Sequence, residues 1–333
     1  MPPVSIRRPA TVTVWLILSA ACLIVSPLLL GLAWAIRAVT GSRRPLALAR
    51  LIVAYCGYEL ATLVACGALW LAAGCGVLIG SRRFQLAHWR LLGWYVAGLA
   101  TSARRALEID VAPEIASDAA TALEAERPAI VLSRHAGPGD TLFIIDELMS
   151  RFRRRPSVVF KEAITIDPSI DILAHRLPQA TIDPADREGS EEQIGRAVAR
   201  LGPRGALLLF PEGGNFTPER RRSALDRLRR KGRRRSADQA ESMPNVMPPQ
   251  PSGALAALRA RGAADVVFIA HTGLGLAAYP TQLWRDMPIG RTLHVRMWLE
   301  PSDRVPDTPE EQVEWLYGWW KRIDAWIESR PSG

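Results

Sequence analysis

Beyond position 75 the chain contains no cysteine. All four, Cys22, Cys56, Cys66 and Cys75, lie in the apolar N-terminal part. A disulfide framework is therefore excluded for the rest of the chain, and so is a thiolate nucleophile there. Histidine is nearly as scarce, with five in 333 residues. His175, His271 and His294 stand at no ligand spacing from His135, so no metal site is expected. Charge is missing altogether from Pro9 to Ile36, and the run Leu51–Ser81 holds a single acid, Glu59. There is no internal repeat.

The two apolar runs each exceed the roughly 20 apolar residues that a membrane-spanning helix needs. A short basic link, "RAVTGSRRPLALAR", joins them. Residues 1–83 thus read as a membrane helical hairpin. A cleaved leader is the alternative for the first run, since Arg7 and Arg8 precede it and Ala33–Ala35 imitates a cleavage site. A hairpin dipping into one leaflet is the alternative for both. Arginines flank the runs on either side, and the reading adopted puts the remainder of the chain on the cytoplasmic face. Glu59 needs a polar partner, because a lone carboxylate in lipid is costly. Residues 84–125 read as a linker opening on an amphipathic helix, either interfacial or an ordinary packed one.

Basic residues exceed acidic ones by 42 to 33. Arg220–Arg235 alone holds ten basic side chains and one acid, Asp226, which accounts for the whole excess. A local patch of this kind suggests an anionic partner, whether a membrane surface, a polyphosphate ligand or nucleic acid. It carries no interleaved aromatic platform, so no nucleic acid is expected.

From residue 126 to 330, short apolar runs alternate with amphipathic ones. The strand candidates are "AIVLS", "SVVFK", "ATID", "ALLLFP", "DVVFIAH" and "LHVRMWL". Helix candidates are 141–153, 190–201, 219–230, 252–261 and 309–329. The alternation predicts an α/β domain with a largely parallel sheet flanked by helices. Residues 233–250, polar and then proline-rich, read as loop. The last helix has an apolar stripe at Val313, Leu316, Trp320, Ile323 and Ile327. A second stripe, Trp315, Trp319 and Trp326, faces either the domain or a membrane interface.

"VLSRHAGPGDTLFIIDEL" places His135 five residues before Asp140, across Ala-Gly-Pro-Gly. The expected geometry is strand, tight turn, helix, with Asp140 at the helix N-cap. There the carboxylate can fix one imidazole tautomer and leave the other ring nitrogen as a base. A plain Asp cap beside a turn histidine fits the spacing equally well. A second strand-to-turn junction, "ALLLFPEGG", brings Phe210, Pro211, Glu212, Gly213 and Gly214.

Together the two motifs resemble those of the glycerolipid acyltransferase superfamily, the 1-acylglycerol-3-phosphate O-acyltransferase-like enzymes. H-x-x-x-x-D is matched by His135 and Asp140, and F-P-E-G by Phe210 to Gly213. The resemblance implies a membrane-bound enzyme that moves an acyl chain from acyl-CoA or acyl carrier protein to a lysophospholipid such as lysophosphatidic acid. No cofactor is implied beyond that co-substrate. His135 would be the general base, Asp140 would orient it, and Glu212, Gly213 and Gly214 would bind the acceptor. The N–H groups of Gly137, Gly139 or Gly213 would hold the developing oxyanion. Relatives carry Thr-Arg after Glu-Gly, where this chain has Gly214 and Asn215. Pro184 stands where a second arginine is usual. Arg187 and Arg220 are the candidate replacements for phosphate binding, and Lys161 is a third candidate contact. The missing arginines leave open a non-catalytic lipid-binding or scaffold protein on the same fold. A hydrolase using Ser133 is a weaker reading, because that side chain alternates away from His135.

Overall fold

The computed structural model describes residues 4–183, 185–274, 284 and 287–330; Pro184 lies outside them. In chain order, the first elements are α1 (Val4–Thr40), α2 (Arg44–Ala72), α3 (Arg82–Leu107), β1 (Asp110–Ile115), α4 (Ser117–Glu124), β2 (Ala129–Ser133) and α5 (Pro138–Asp146). Next come β3 (Arg155–Lys161), α6 (Pro168–Arg176), β4 (Ala180–Ile182), α7 (Arg187–Ala199), β5 (Gly205–Leu209) and α8 (Pro218–Arg230). The last are α9 (Arg234–Glu241), α10 (Pro251–Arg259), β6 (Asp265–His271), β7 (Thr292–Glu300) and α11 (Pro309–Glu328). The chain forms two compact units, one of Met1–Ile109 with Lys161–Gln179, the other of Asp110–Phe160 with Ala180–Gly333.

In the helical unit, α1 and α2 are long and apolar enough to cross a membrane. Leu28, Ile24 and Trp34 of α1 are 77, 79 and 65% exposed. An apolar surface that continuous is costly in water and natural in lipid. Glu59 does find polar partners. Its carboxylate accepts from Tyr95 Oη at 3.1 Å and from the Ser169 N–H at 3.1 Å. The segment after β3 belongs to this unit and is fixed to it by charge. Asp171, 1% exposed, pairs with Arg7 at 3.0 Å and Arg8 at 2.7 Å. Asp167 caps α6 and accepts from Tyr55 Oη at 2.5 Å. Buried acids tolerate such sites only when paired.

The second unit holds a seven-stranded sheet in the order β1-β7-β6-β2-β5-β3-β4. β2 pairs in parallel with β5 and β6, β5 with β3, and β1 with β7; β6 and β7 are antiparallel. Every residue of "AIVLS" and "GALLL" is buried. Such unbroken apolar runs mark strands covered on both faces. Because β6, β2 and β5 are adjacent and parallel, their C-terminal ends emerge at one edge. Leu132 is opposite Leu209, and Ser133 is opposite Ile269. This register brings the residues after three separate strands to one place.

All six expected strands are present, and β1 is an additional one within the stretch read as linker. Its sequence, "DVAPEI", carries two acids and a proline, which an edge strand tolerates and a central one does not. The expectation of a loop over 233–250 is corrected by α9 and by buried Ala240, Met243 and Val246, which join the main core. Both stripes of α11 pack within this unit. The Trp319 ring stacks on Phe268 at 4.2 Å and 11°, and Trp326 meets Trp298 edge-on at 6.1 Å. The buried indole N–H of Trp319 donates to Glu300 Oε2 at 3.0 Å.

Candidate active site

The turn after β2 begins the helix earlier than the sequence implies. Gly137 is the N-cap, Pro138 opens α5, and Asp140 lies in the first turn, not at the cap. Proline suits that first position because its fixed φ is helical and its missing N–H has no partner there anyway. Asp140 then turns back toward the Gly137 N–H, as one side of a capping box does, and that N–H helps hold its pKa down. It also accepts from the Leu274 N–H at 3.1 Å. At 1% exposure, burial pushes its pKa up to about 6, while Arg134 and the two N–H groups pull it down.

His135 is held by the second motif. Its N–H donates to Glu212 Oε1 at 3.3 Å, and its carbonyl accepts from the Phe216 N–H at 3.0 Å. The imidazole lies against the Phe210 ring, centroids 4.6 Å apart and planes tilted by 34°. Both the main chain and the ring of His135 are thus positioned by the residues that follow β5. The two sequence motifs form one structural object.

Glu212 turns inward. It is 1% exposed, and its second oxygen accepts from the Met247 N–H at 3.3 Å. Burial raises its pKa to about 7 against the pull of Arg134. Its carboxylate therefore braces the main chain on either side of the site. Gly213 has φ +67°, and a Cβ there would meet Gln250 Nε2 at 2.6 Å. We expect Gly213→Ala to lower stability by at least about 1 kcal/mol, since the left-handed conformation alone costs that much. A thermal melt with no shift would contradict this. The Gly213 N–H donates to the Phe210 carbonyl at 3.0 Å, and Gly137 is engaged by Asp140. Gly214 faces Arg220, whose Nη1 would be 3.9 Å from an added Cβ and donates to the Asn215 carbonyl at 3.4 Å.

Two groups were invisible in the sequence reading. Arg134, 3% exposed, donates from Nη1 to the His271 carbonyl at 2.6 Å and from Nη2 to the Asn245 carbonyl at 2.9 Å. Burial lowers its pKa, and Glu212 and Asp140 oppose that. One guanidinium thus compensates both motif carboxylates. His271, delivered by β6, donates from Nε2 to the Arg134 carbonyl at 2.9 Å and sets Nδ1 3.8 Å from Asp140 Oδ2. Burial, with Arg134 beside it, pushes its pKa down to about 3, so the ring is neutral. The only advance signals were an arginine directly before His135 and a histidine ending a strand. Ser133 Oγ is buried and donates to the Arg134 carbonyl at 3.0 Å. Arg187 pairs with Glu191 on its own helix at 2.8 Å, and Lys161 is an exposed residue closing β3. The described residues contain no cluster of metal ligands.

Residues 114–252 match the family model Acyltransferase. This chain carries an acyltransferase-family domain. Both motifs and their brace lie inside the matched span, which ends just after Gln250. The chain is also similar in structure to the 1-acyl-sn-glycerophosphate (LPA) acyltransferase PlsC of Thermotoga maritima. That likeness has a TM-score of 0.52 at 14% identity, covering 83% of this chain and all of the other, and it bears on the fold alone. No curated protein sequence matches the chain. The acyltransferase domain thus agrees with the superfamily resemblance carried by the motifs.

Proposed function

We propose that the protein is a membrane-bound O-acyltransferase that esterifies a lysophospholipid from an acyl thioester, with His135 as general base. The observation that carries this reading is the grip on His135: N–H to Glu212, carbonyl to Phe216, ring on Phe210. A general base works only when it is held within hydrogen-bond reach of the proton it takes. His135 takes the proton of the acceptor hydroxyl as that oxygen attacks the thioester carbonyl. Asp140 orients the imidazole from the first turn of α5. The tetrahedral oxyanion collapses to the ester as the thiolate leaves, and the proton held by His135 passes to the thiolate sulfur or to solvent, which restores the base. Gly139, in the same first turn, is a candidate among the turn glycines for an oxyanion donor. Arg220, opposite Gly214 and Asn215, supplies the cation that relatives place after Glu-Gly. The donor is acyl-CoA or acyl carrier protein, and no resident cofactor takes part.

The apolar exposed faces of α1 and α2 support a membrane location, with the α/β unit on the cytoplasmic side. The exposed basic groups of α8 and the residues after it, Arg227, Arg230, Lys231 and Arg234 among them, support contact with an anionic surface or the phosphates of CoA. Arg221 is excluded from that role, because it donates to the carbonyls of Ala240 and Met243.

The test is product formation by the purified full chain in detergent, using acyl-CoA and acyl carrier protein against a panel of lysophospholipids. An esterified product with at least one acceptor is expected. No product with any pair would favour the non-catalytic lipid-binding reading, which rests on the absent arginine after Gly213.

The raised pKa of Asp140 adds a pH signature. Its carboxylate is the working form, so activity should fall as pH drops through about 6. Stability runs the other way. A raised carboxyl pKa favours the protonated fold, and that contribution is lost as pH rises through about 6. Asp140→Asn should therefore lower turnover about 10²-fold or more yet melt no lower than wild type at pH 7. A variant that is fully active would refute the assignment.

A further inference from the structure

Between Glu59 and Glu108 the chain has no acidic residue, while α3 carries five arginines: Arg82, Arg83, Arg90, Arg104 and Arg105. Three of them gather at one end. Arg82, Arg83 and Arg90 line an open surface groove of about 520 Å³ together with Leu86 and Ala87. At 100° per residue, these five positions and Trp94 share one side of the helix. All three arginines are exposed, and none has an acidic partner among the described residues. Trp94, one turn beyond Arg90, is 48% exposed. Arg82 also follows directly on the turn that ends the second apolar helix, where Val77 and Leu78 are 84 and 56% exposed.

We infer that this groove binds the phosphodiester headgroup of an anionic phospholipid that is not a substrate. The inference rests on the reading that α1 and α2 enter the membrane. Three forked cations with no internal counter-charge match a phosphate, which guanidinium groups grip through paired N–H donors. The apolar floor of Leu86 and Ala87 suits the glycerol and upper acyl carbons. A half-exposed tryptophan beside arginines is the usual composition at headgroup depth. The groove opens where the apolar helix ends, which is headgroup depth if that helix enters the membrane. Free phosphate offers the same charge but would leave the apolar floor and Trp94 wet, so the lipid is the better occupant.

Native mass spectrometry of the full chain in detergent tests this, with equal amounts of phosphatidylglycerol and phosphatidylcholine. Wild type is expected to retain phosphatidylglycerol preferentially. The triple variant Arg82→Gln, Arg83→Gln, Arg90→Gln should lose that preference by about a hundredfold, from roughly fivefold per arginine at an anionic surface. Arg104→Gln with Arg105→Gln, at the far end of the same helix, should leave it unchanged. Equal retention of both lipids by wild type overturns the proposal. So does a triple variant that keeps the preference, or a distal pair that loses it equally. Displacement of the lipid by inorganic phosphate at matched concentration also overturns it, leaving a bare anion site. His135→Ala should keep the lipid preference, so loss of catalysis and loss of this site are read separately.

Discussion

His135→Ala is expected to lower kcat/KM for acyl transfer by about 10³-fold while the protein still folds. Positioned general bases typically contribute about 10² to 10⁴. The upper part of that range is appropriate, because an unassisted hydroxyl is a poor nucleophile even toward a thioester. The residue is half-buried at a strand end, and the bonds to Glu212 and Phe216 involve its main chain. Alanine preserves both bonds, so circular dichroism and melting temperature should be close to wild type. The KM for the acyl thioester should change little, because the imidazole acts on the acceptor. A large KM change at constant kcat would assign His135 to binding instead. Activity of the alanine variant within a few-fold of wild type would remove the imidazole from the chemistry.

Arg134→Ala is expected to have the largest effect on the fold. The guanidinium is coupled electrostatically to two buried carboxylates, Asp140 and Glu212, and fastens the His271 and Asn245 carbonyls. Removing one member of a buried charged group costs about 3–5 kcal/mol, since the others are left without compensation. Two acceptor carbonyls would lose their donor as well, each worth about 1 kcal/mol or more. The sum is a large share of the stability of an ordinary domain. The variant should melt far lower and expose the site to proteolysis. Arg134→Lys should recover part of the stability. It restores the charge but cannot reach both carbonyls in the forked geometry. With Arg134 gone, both carboxyl groups titrate still higher, so any remaining activity should need more alkaline conditions. A melting temperature within a degree or two of wild type would show that the arginine is not the hub described.

How much of this was readable beforehand depended on range. The buried strands announced themselves through unbroken apolar runs, and the parallel alternation followed from their order with the helices. His135, Asp140 and Glu212 could be named because their motifs are local. What could not be read was the register of β6, β2 and β5, which decides which strand ends meet. That register brings His271 to Asp140 and sets Glu212 under the His135 N–H. Arg134 was passed over because an arginine at a strand end is ordinarily solvated. Only the tertiary structure shows it 3% exposed and coupled to two acids. The cap of α5 was misplaced by three residues, since Gly-Pro-Gly reads as a breaker while Pro138 in fact opens the helix. β1 was missed because charge and proline hide an edge strand. Glu59 was legible as needing a partner, but the Ser169 N–H, from the segment after β3, was not.

The most direct test of the central claim is pre-steady-state thiol release from acyl-CoA, followed with intact-protein mass spectrometry, with and without lysophospholipid. If His135 activates the acceptor for direct attack, thiol appears only when the acceptor is present, without a burst, and the protein never gains an acyl mass. An acceptor-independent burst matched by an acylated protein would mean that a protein nucleophile, and not the lipid hydroxyl, takes the acyl group first.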